Sequence, residues 1–269
     1  METLRGLQFR WVTLHPTYPV TDALEPEIGP GPDTVAAFVI AKELGFAVRI
    51  EPHLDFNSTV YEWRRRMYVD PSKAYLRDVL QPLAALRPDE LTLGSELDAS
   101  AYEFRDEWIA VRWQLGIGGH KLNHDALGSG RASIKDEINS ERAKRGLSRR
   151  WRLPDIRPYL QELDYVALSW YQPDWRPLPA GFVVGELGLG STDISRPWHF
   201  DAATFRTAED FAIRTRWYLE AIDWLQATDS PRAACFWTAG HYDILGVMNP
   251  EWRDDAVVEA VRAYNQASP

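Results

Sequence analysis

One cysteine, Cys235, is all the chain has, so an intrachain disulfide is excluded, and with it any zinc site built on thiolates. There is no apolar run of about 18 residues and no charged-then-apolar leader after Met1, which argues against a membrane span and a signal peptide. The expectation is cytoplasmic residence by default, or secretion if Met1 is not the native start. Positive charge is the scarcer sign: 30 Lys and Arg against 39 Asp and Glu leave a formal charge of −9. That balance repels phosphate backbones and argues against nucleic acid as a partner. The basic clusters Arg64-Arg65-Arg66 and Arg149-Arg150 are too short to line a groove.

What the chain has in plenty is aromatic rings. Twelve Trp, eleven Tyr and ten Phe in 269 residues exceed the ordinary demands of packing, and flat amphipathic rings suit a cleft that stacks on sugar faces. For any single ring a place in the core is an equal reading. The length is close to the roughly 250 residues of one (β/α)8 barrel, so a single catalytic domain over residues 1–269 is expected.

Short β-rich runs alternate with helical patterns from end to end, as in parallel βα units. Seven such runs stand out: Trp11–His15, Ala47–His53, Glu90–Glu96, His120–Asn123, Tyr165–Tyr171, Phe182–Glu186 and Ala233–Thr238. Most are apolar almost throughout, which fits strands covered on both faces. The fold class is therefore α/β, a TIM-type (β/α)8 barrel. The count falls one short of eight, because no strand precedes the helical stretch Glu2–Gln8. Either the barrel is incomplete at its first strand or Met1 lies inside a longer gene.

Between the strands, Asp33 reads as the cap of a helix with Val35, Phe38 and Val39 on its apolar face, and Gly45 as its left-handed end. Thr207 and Asp210 read as a capping box for a helix with Phe211, Tyr218, Ala221, Ile222 and Leu225 on one stripe. A final helix near Asp254–Gln266 places Ala256, Val257, Ala260, Val261 and Tyr264 together. The polar segment Gly128–Arg157 is too long for a simple connection and reads as an inserted loop and helix.

Barrel enzymes carry their catalysts at the C-terminal ends of strands. Leu91-Thr92-Leu93-Gly94-Ser95-Glu96 ends an apolar strand with a carboxylate, and Phe182-Val183-Val184-Gly185-Glu186 does the same. Either Glu alone reads as an ordinary strand-end residue. As a pair they suit glycoside hydrolysis, in which one carboxylic acid protonates the leaving oxygen and a second carboxylate attacks the anomeric carbon or activates water. In a retaining enzyme the two lie roughly 5–5.5 Å apart.

Further motifs carry a resemblance. Trp11-Val-Thr-Leu-His-Pro-Thr, Lys42-Glu-Leu-Gly, Glu51-Pro-His-Leu-Asp, Leu93-Gly-Ser-Glu-Leu, Asp164-Tyr-Val-Ala-Leu-Ser-Trp-Tyr and Val184-Gly-Glu-Leu-Gly, in this order, resemble clan A glycoside hydrolases. Within the clan they look most like family 113, whose known members are mainly β-1,4-mannanases. The resemblance implies Glu96 as acid/base, Glu186 as nucleophile, Trp237 as the floor of the reacting subsite and Tyr171 as a hydrogen-bond partner of the nucleophile. It also implies that His53, Asp55, Trp63, Arg64, Asn123 and Asp125 line the cleft. Ser95 stands where many clan members have Asn, and family 113 tends to a small hydroxyl residue there. Trp175 and Trp198 are the favoured platform rings among Trp170, Trp175, Trp198 and Trp252, because proline-rich loops flank them.

Two other patterns lose to simpler readings. His120 and His124 are four apart, but the segment reads as a strand and its loop, so no metal site is expected. Gly185-Glu-Leu-Gly-Leu-Gly lacks the spacing and lysine of a phosphate loop. The reading is thus a retaining hydrolase of β-linked hexose poly- or oligosaccharides, with β-1,4-mannan the favoured substrate and no cofactor. The alternatives are a carbohydrate-binding barrel with weak catalysis, and a glycosidase or transglycosylase for another β-linked sugar. Oligomeric state is not legible.

Overall fold

The computed structural model describes residues 1–19, 31–55, 69–116, 118–171, 175–178, 181–197, 199, 201–228, 234–236 and 243–267. Their backbone contacts divide the chain into two compact units, Trp11–Val166 on the one hand and Met1–Arg10 with Ala167–Pro269 on the other.

Unit Trp11–Val166 is built on parallel strands: β1 Trp11–Leu14, β3 Ala47–Ile50, β5 Glu90–Ser95 and β6 Gly119–Asn123, in that spatial order. Two short strands, β2 Thr17–Pro19 and β4 His53–Asp55, pair in parallel as a separate ribbon. Val48, Ile50, Leu91, Leu93 and Leu122 are fully buried, which is why these strands read as near-continuous apolar runs. Parallel neighbours need a crossover. Helices Pro32–Glu43, Gln81–Ala85, Arg105–Leu115 and Arg131–Lys144 lie in the connections, the last inside the polar segment read as an insertion. A register irregularity falls between Thr92 and Gly94, where a Cβ on Gly94 would sit 2.7 Å from His120 Nε2. Glycine there lets the buried His120 ring pass.

The strand β7 Tyr165–Ser169 divides between the units, and β8 Phe182–Glu186 follows it in the strand order. Beyond β8, Phe236 bridges in parallel to Leu187. Helices Ala208–Ala227 and Asp255–Ala267 complete this unit. The second holds the N-terminal segment: Arg262 donates to the carbonyl of Gly6 at 2.9 Å and Asn265 to that of Leu7 at 3.0 Å. Among the described residues, helix Glu2–Gly6 comes before β1, and no helix is long and apolar enough to cross a membrane.

Several sequence expectations change. Asp33 does not cap its helix: Gly31 is the N-cap and Pro32 occupies the first turn, where a missing N–H costs nothing. The expected apolar face is not buried there, with Val35 and Val39 exposed and only Ala41 of the helix inside. Pro52 cannot continue the β3 ladder, so the expected run Ala47–His53 splits and His53 opens β4. The run from Tyr165 ends at Ser169, not Tyr171. Of Ala233–Thr238 only 234–236 are described. Gly45 does take the left-handed turn, at φ 83°, and Thr207 with Asp210 does form the capping box.

Candidate active site

In unit Trp11–Val166 the strand β5 ends on Ser95, and Glu96 leaves it with φ 53°. A side chain in the left-handed region is uncommon and needs holding. The Glu96 N–H donates to the carbonyl of Lys121 at 2.8 Å, and the Ser95 hydroxyl donates to Glu51 Oε1 at 3.2 Å. The Lys121 ammonium meets the same oxygen at 2.5 Å, with both side chains 1% exposed, and His15 Nδ1 lies 3.4 Å from it. A buried charge pair of this kind persists only with added hydrogen bonds.

Two residues past Glu96, the buried carboxylate of Asp98 accepts from the Asn123 backbone N–H at 3.1 Å and from the Asn123 side-chain amide. Burial pushes Asp98 up to about 7; the Asn123 hydrogen bonds oppose this, and the nearby charges of Glu96 and Asp125 add to it. Asn123 is thereby fixed in orientation. Asp125 sits in the turn after β6, its carbonyl accepting from Gly128 and Gly130. His120 points into the core instead of a site. Its Nδ1 meets the Tyr159 hydroxyl at 2.7 Å, and burial lowers its pKa to about 3, so it is neutral. No cluster of His, Cys, Asp or Glu suited to a metal occurs among the described residues.

In the other unit Glu186 ends β8, half-buried, and its carboxylate accepts from the Tyr171 hydroxyl. The Glu186 carbonyl takes the Trp170 N–H at 2.8 Å, so main chain and side chain are tied to the same turn after β7. Trp170 itself is buried and stacks on Trp224 with centroids 5.4 Å apart. Trp175 packs edge-on to Trp217 at 5.5 Å, and its indole N–H donates to Glu220 at 3.2 Å on helix Ala208–Ala227.

The expected site residues thus group by unit. His53, Ser95, Glu96, Asn123 and Asp125 belong to one; Tyr171, Trp175 and Glu186 belong to the other. The Asp55 side chain and Trp63, Arg64, Trp198 and Trp237 lie outside the described residues. Sequence reasoning did not single out Glu51, Lys121 or Asp98, which the structure places against the candidate residues Ser95 and Asn123 or against each other. The signal was present in part: Lys121 lies within a short run read as a barrel strand, and charges are almost never fully buried unless paired.

No family model matches the chain, and no curated relative matches it by sequence. Its structure is similar to a GH113 β-1,4-mannanase solved as a complex, at 13% identity and TM-score 0.59, covering 98% of this chain and 90% of that one. A second GH113 β-1,4-mannanase structure matches at 14% identity and TM-score 0.59, over 99% and 92%. A GH113 β-mannanase from Alicyclobacillus acidocaldarius matches at 13% and TM-score 0.58, over 98% and 91%. Over nearly its whole length the chain therefore has the GH113-like (β/α)8 barrel fold, its described sheet strands beginning at Trp11.

Proposed function

We propose that the protein is a retaining glycoside hydrolase that cleaves β-linked hexose poly- or oligosaccharides, with β-1,4-mannan as its substrate. The observation that carries this reading is the pair of strand-end glutamates, each with its own hydrogen-bonded support, in a chain with the fold of GH113 β-1,4-mannanases. Glu186 is the nucleophile: its carboxylate attacks the anomeric carbon as the glycosidic C–O bond breaks, and Glu96 gives its proton to the departing oxygen. Water then attacks the glycosyl-Glu186 ester, Glu96 takes a proton from that water, and the sugar leaves with its configuration retained. Tyr171 holds the rotation of the Glu186 carboxylate through its hydrogen bond to one carboxylate oxygen. His53, Asp55, Trp63, Arg64, Ser95, Asn123, Asp125, Trp175, Trp198 and Trp237 are proposed to bind the sugar chain, within a single catalytic domain. No cofactor enters the scheme.

The test is hydrolysis of β-1,4-manno-oligosaccharides by wild type, Glu96→Gln and Glu186→Gln, with the product anomer read by proton NMR. The reading expects β-anomer as first product and loss of turnover in both variants. Turnover that survives Glu186→Gln, or an α-anomer first, would overturn it.

A further inference from the structure

The Glu51–Lys121 pair has no part in the scheme above, yet its geometry is bound to Glu96. Strands β1, β3, β5 and β6 are consecutive neighbours in the sheet. Glu51, just past β3, receives one polar side chain from the end of, or just past, each of the other three: His15 follows β1, Ser95 closes β5 and Lys121 lies on β6. Ser95 and Lys121 are direct cross-strand partners. Lys121 acts twice. Its carbonyl receives the Glu96 N–H at 2.8 Å, while its ammonium reaches Glu51 Oε1 at 2.5 Å. The Ser95–Glu96 peptide is therefore pinned from both sides: by the Ser95 hydroxyl on Glu51 and by the Glu96 N–H on Lys121. Glu96 needs pinning, because φ 53° is a conformation that a residue with a Cβ does not choose on its own. Glu51 and Lys121 are each 1% exposed, so neither is placed to touch a sugar.

We propose that the buried Glu51–Lys121 pair is a positioning device that sets the direction of the Glu96 carboxyl, an inference that rests on Glu96 being the acid/base. A carboxyl displaced by even an ångström delivers its proton poorly. Such a displacement matters only when the leaving oxygen needs the proton. A sugar hydroxylate is a poor leaving group and depends on general acid help, whereas dinitrophenolate departs without it.

The experiment compares wild type, Lys121→Met, Glu51→Gln and the double variant Glu51→Gln/Lys121→Met on β-1,4-mannohexaose and on a 2,4-dinitrophenyl β-mannoside. Near-UV circular dichroism and thermal unfolding report folding. The double variant removes both charges, and so avoids the broken ion pair that can unfold either single variant. The expected result for the folded variants is a fall in kcat/KM of about 10²-fold on mannohexaose and of less than about threefold on the dinitrophenyl substrate. Equal losses on the two substrates would mean that the pair only stabilises the fold, and unchanged rates on both would mean that it does nothing for Glu96. Either outcome overturns the inference while the hydrolase reading stands. A folded wild type silent on both substrates would overturn the reading, and this inference with it.

Discussion

Around Glu96, side chains from three strands converge on one buried carboxylate oxygen of Glu51, which follows a fourth, and the main chain of Lys121 holds the Glu96 peptide. Around Glu186 the support is aromatic: the Tyr171 hydroxyl on the carboxylate, and Trp170, stacked on Trp224, with its N–H on the Glu186 carbonyl. The two proposed roles call for this difference. An acid that must give up and recover a proton acts through its direction, which backbone and fixed charges set. A nucleophile must approach one carbon, and a phenol on its carboxylate helps to fix its rotation. Buried charges in the first unit also make it sensitive to pH and substitution in ways that rings do not.

The largest effect expected is on turnover. Glu186→Gln removes the attacking carboxylate and should abolish cleavage of every glycoside, good leaving group or poor. Glu96→Gln should cost about 10²–10⁴-fold on manno-oligosaccharides and far less on a dinitrophenyl mannoside in the first step. Steady-state kinetics on the two substrates separates the roles, and identical profiles for the two variants would erase the contrast.

Next in size is stability. Glu51→Gln breaks the buried ion pair with Lys121 by removing one of its charges and should destabilise the protein by about 3–5 kcal/mol, read by urea unfolding. Tyr171→Phe, on the aromatic side, should change stability by only about 1 kcal/mol. A reversed order would show that the rings, not the charges, carry the mechanical load.

The pH dependence of stability sharpens the comparison further. Asp98, pushed up from 3.8 to about 7, keeps a proton in the fold that the unfolded chain has released. Its contribution is present at low pH and is lost as pH rises through 7. His120, lowered from 6.5 to about 3, does the opposite: the unfolded chain takes up a proton below 6.5 that the fold refuses, so stability falls as pH drops. Between 3.8 and 6.5 the two slopes oppose each other. Asp98→Asn should leave stability rising more steeply with pH across that window, and His120→Phe should leave it falling. Urea midpoints measured along the pH range decide this, and a slope unchanged by Asp98→Asn would remove Asp98 as a titrating group. The smallest effect is local to the other unit: Thr207→Ala deletes the capping box of helix Ala208–Ala227 and should cost about 1 kcal/mol.

Much of the fold was legible because the strands are buried on both faces and the caps use few residue types. Phe182–Glu186 was read to the residue, and Thr207 with Asp210 announced its helix. The ribbon of β2 and β4 was missed because three-residue strands carry no period, and His53 was attached to β3 across a proline that ends the ladder. The helix Pro32–Glu43 misled because an apolar spacing tells which side chains share a face, not whether anything covers that face. Of the candidate site, the two glutamates proposed as catalytic were visible as carboxylates at the ends of strand runs. Glu51, Lys121 and Asp98 were not read as site residues, because their meaning lies in partners far along the chain: Glu51 and Lys121 meet only when β3 and β6 lie on either side of β5.

The most direct test of the central claim is to trap the covalent intermediate. Incubation with a 2-deoxy-2-fluoro-β-mannosyl fluoride, proteolysis and peptide mass spectrometry should find one fluorosugar per chain, esterified to Glu186. A label on any other residue, or an enzyme that turns over β-mannosides yet never carries the label, would contradict the account.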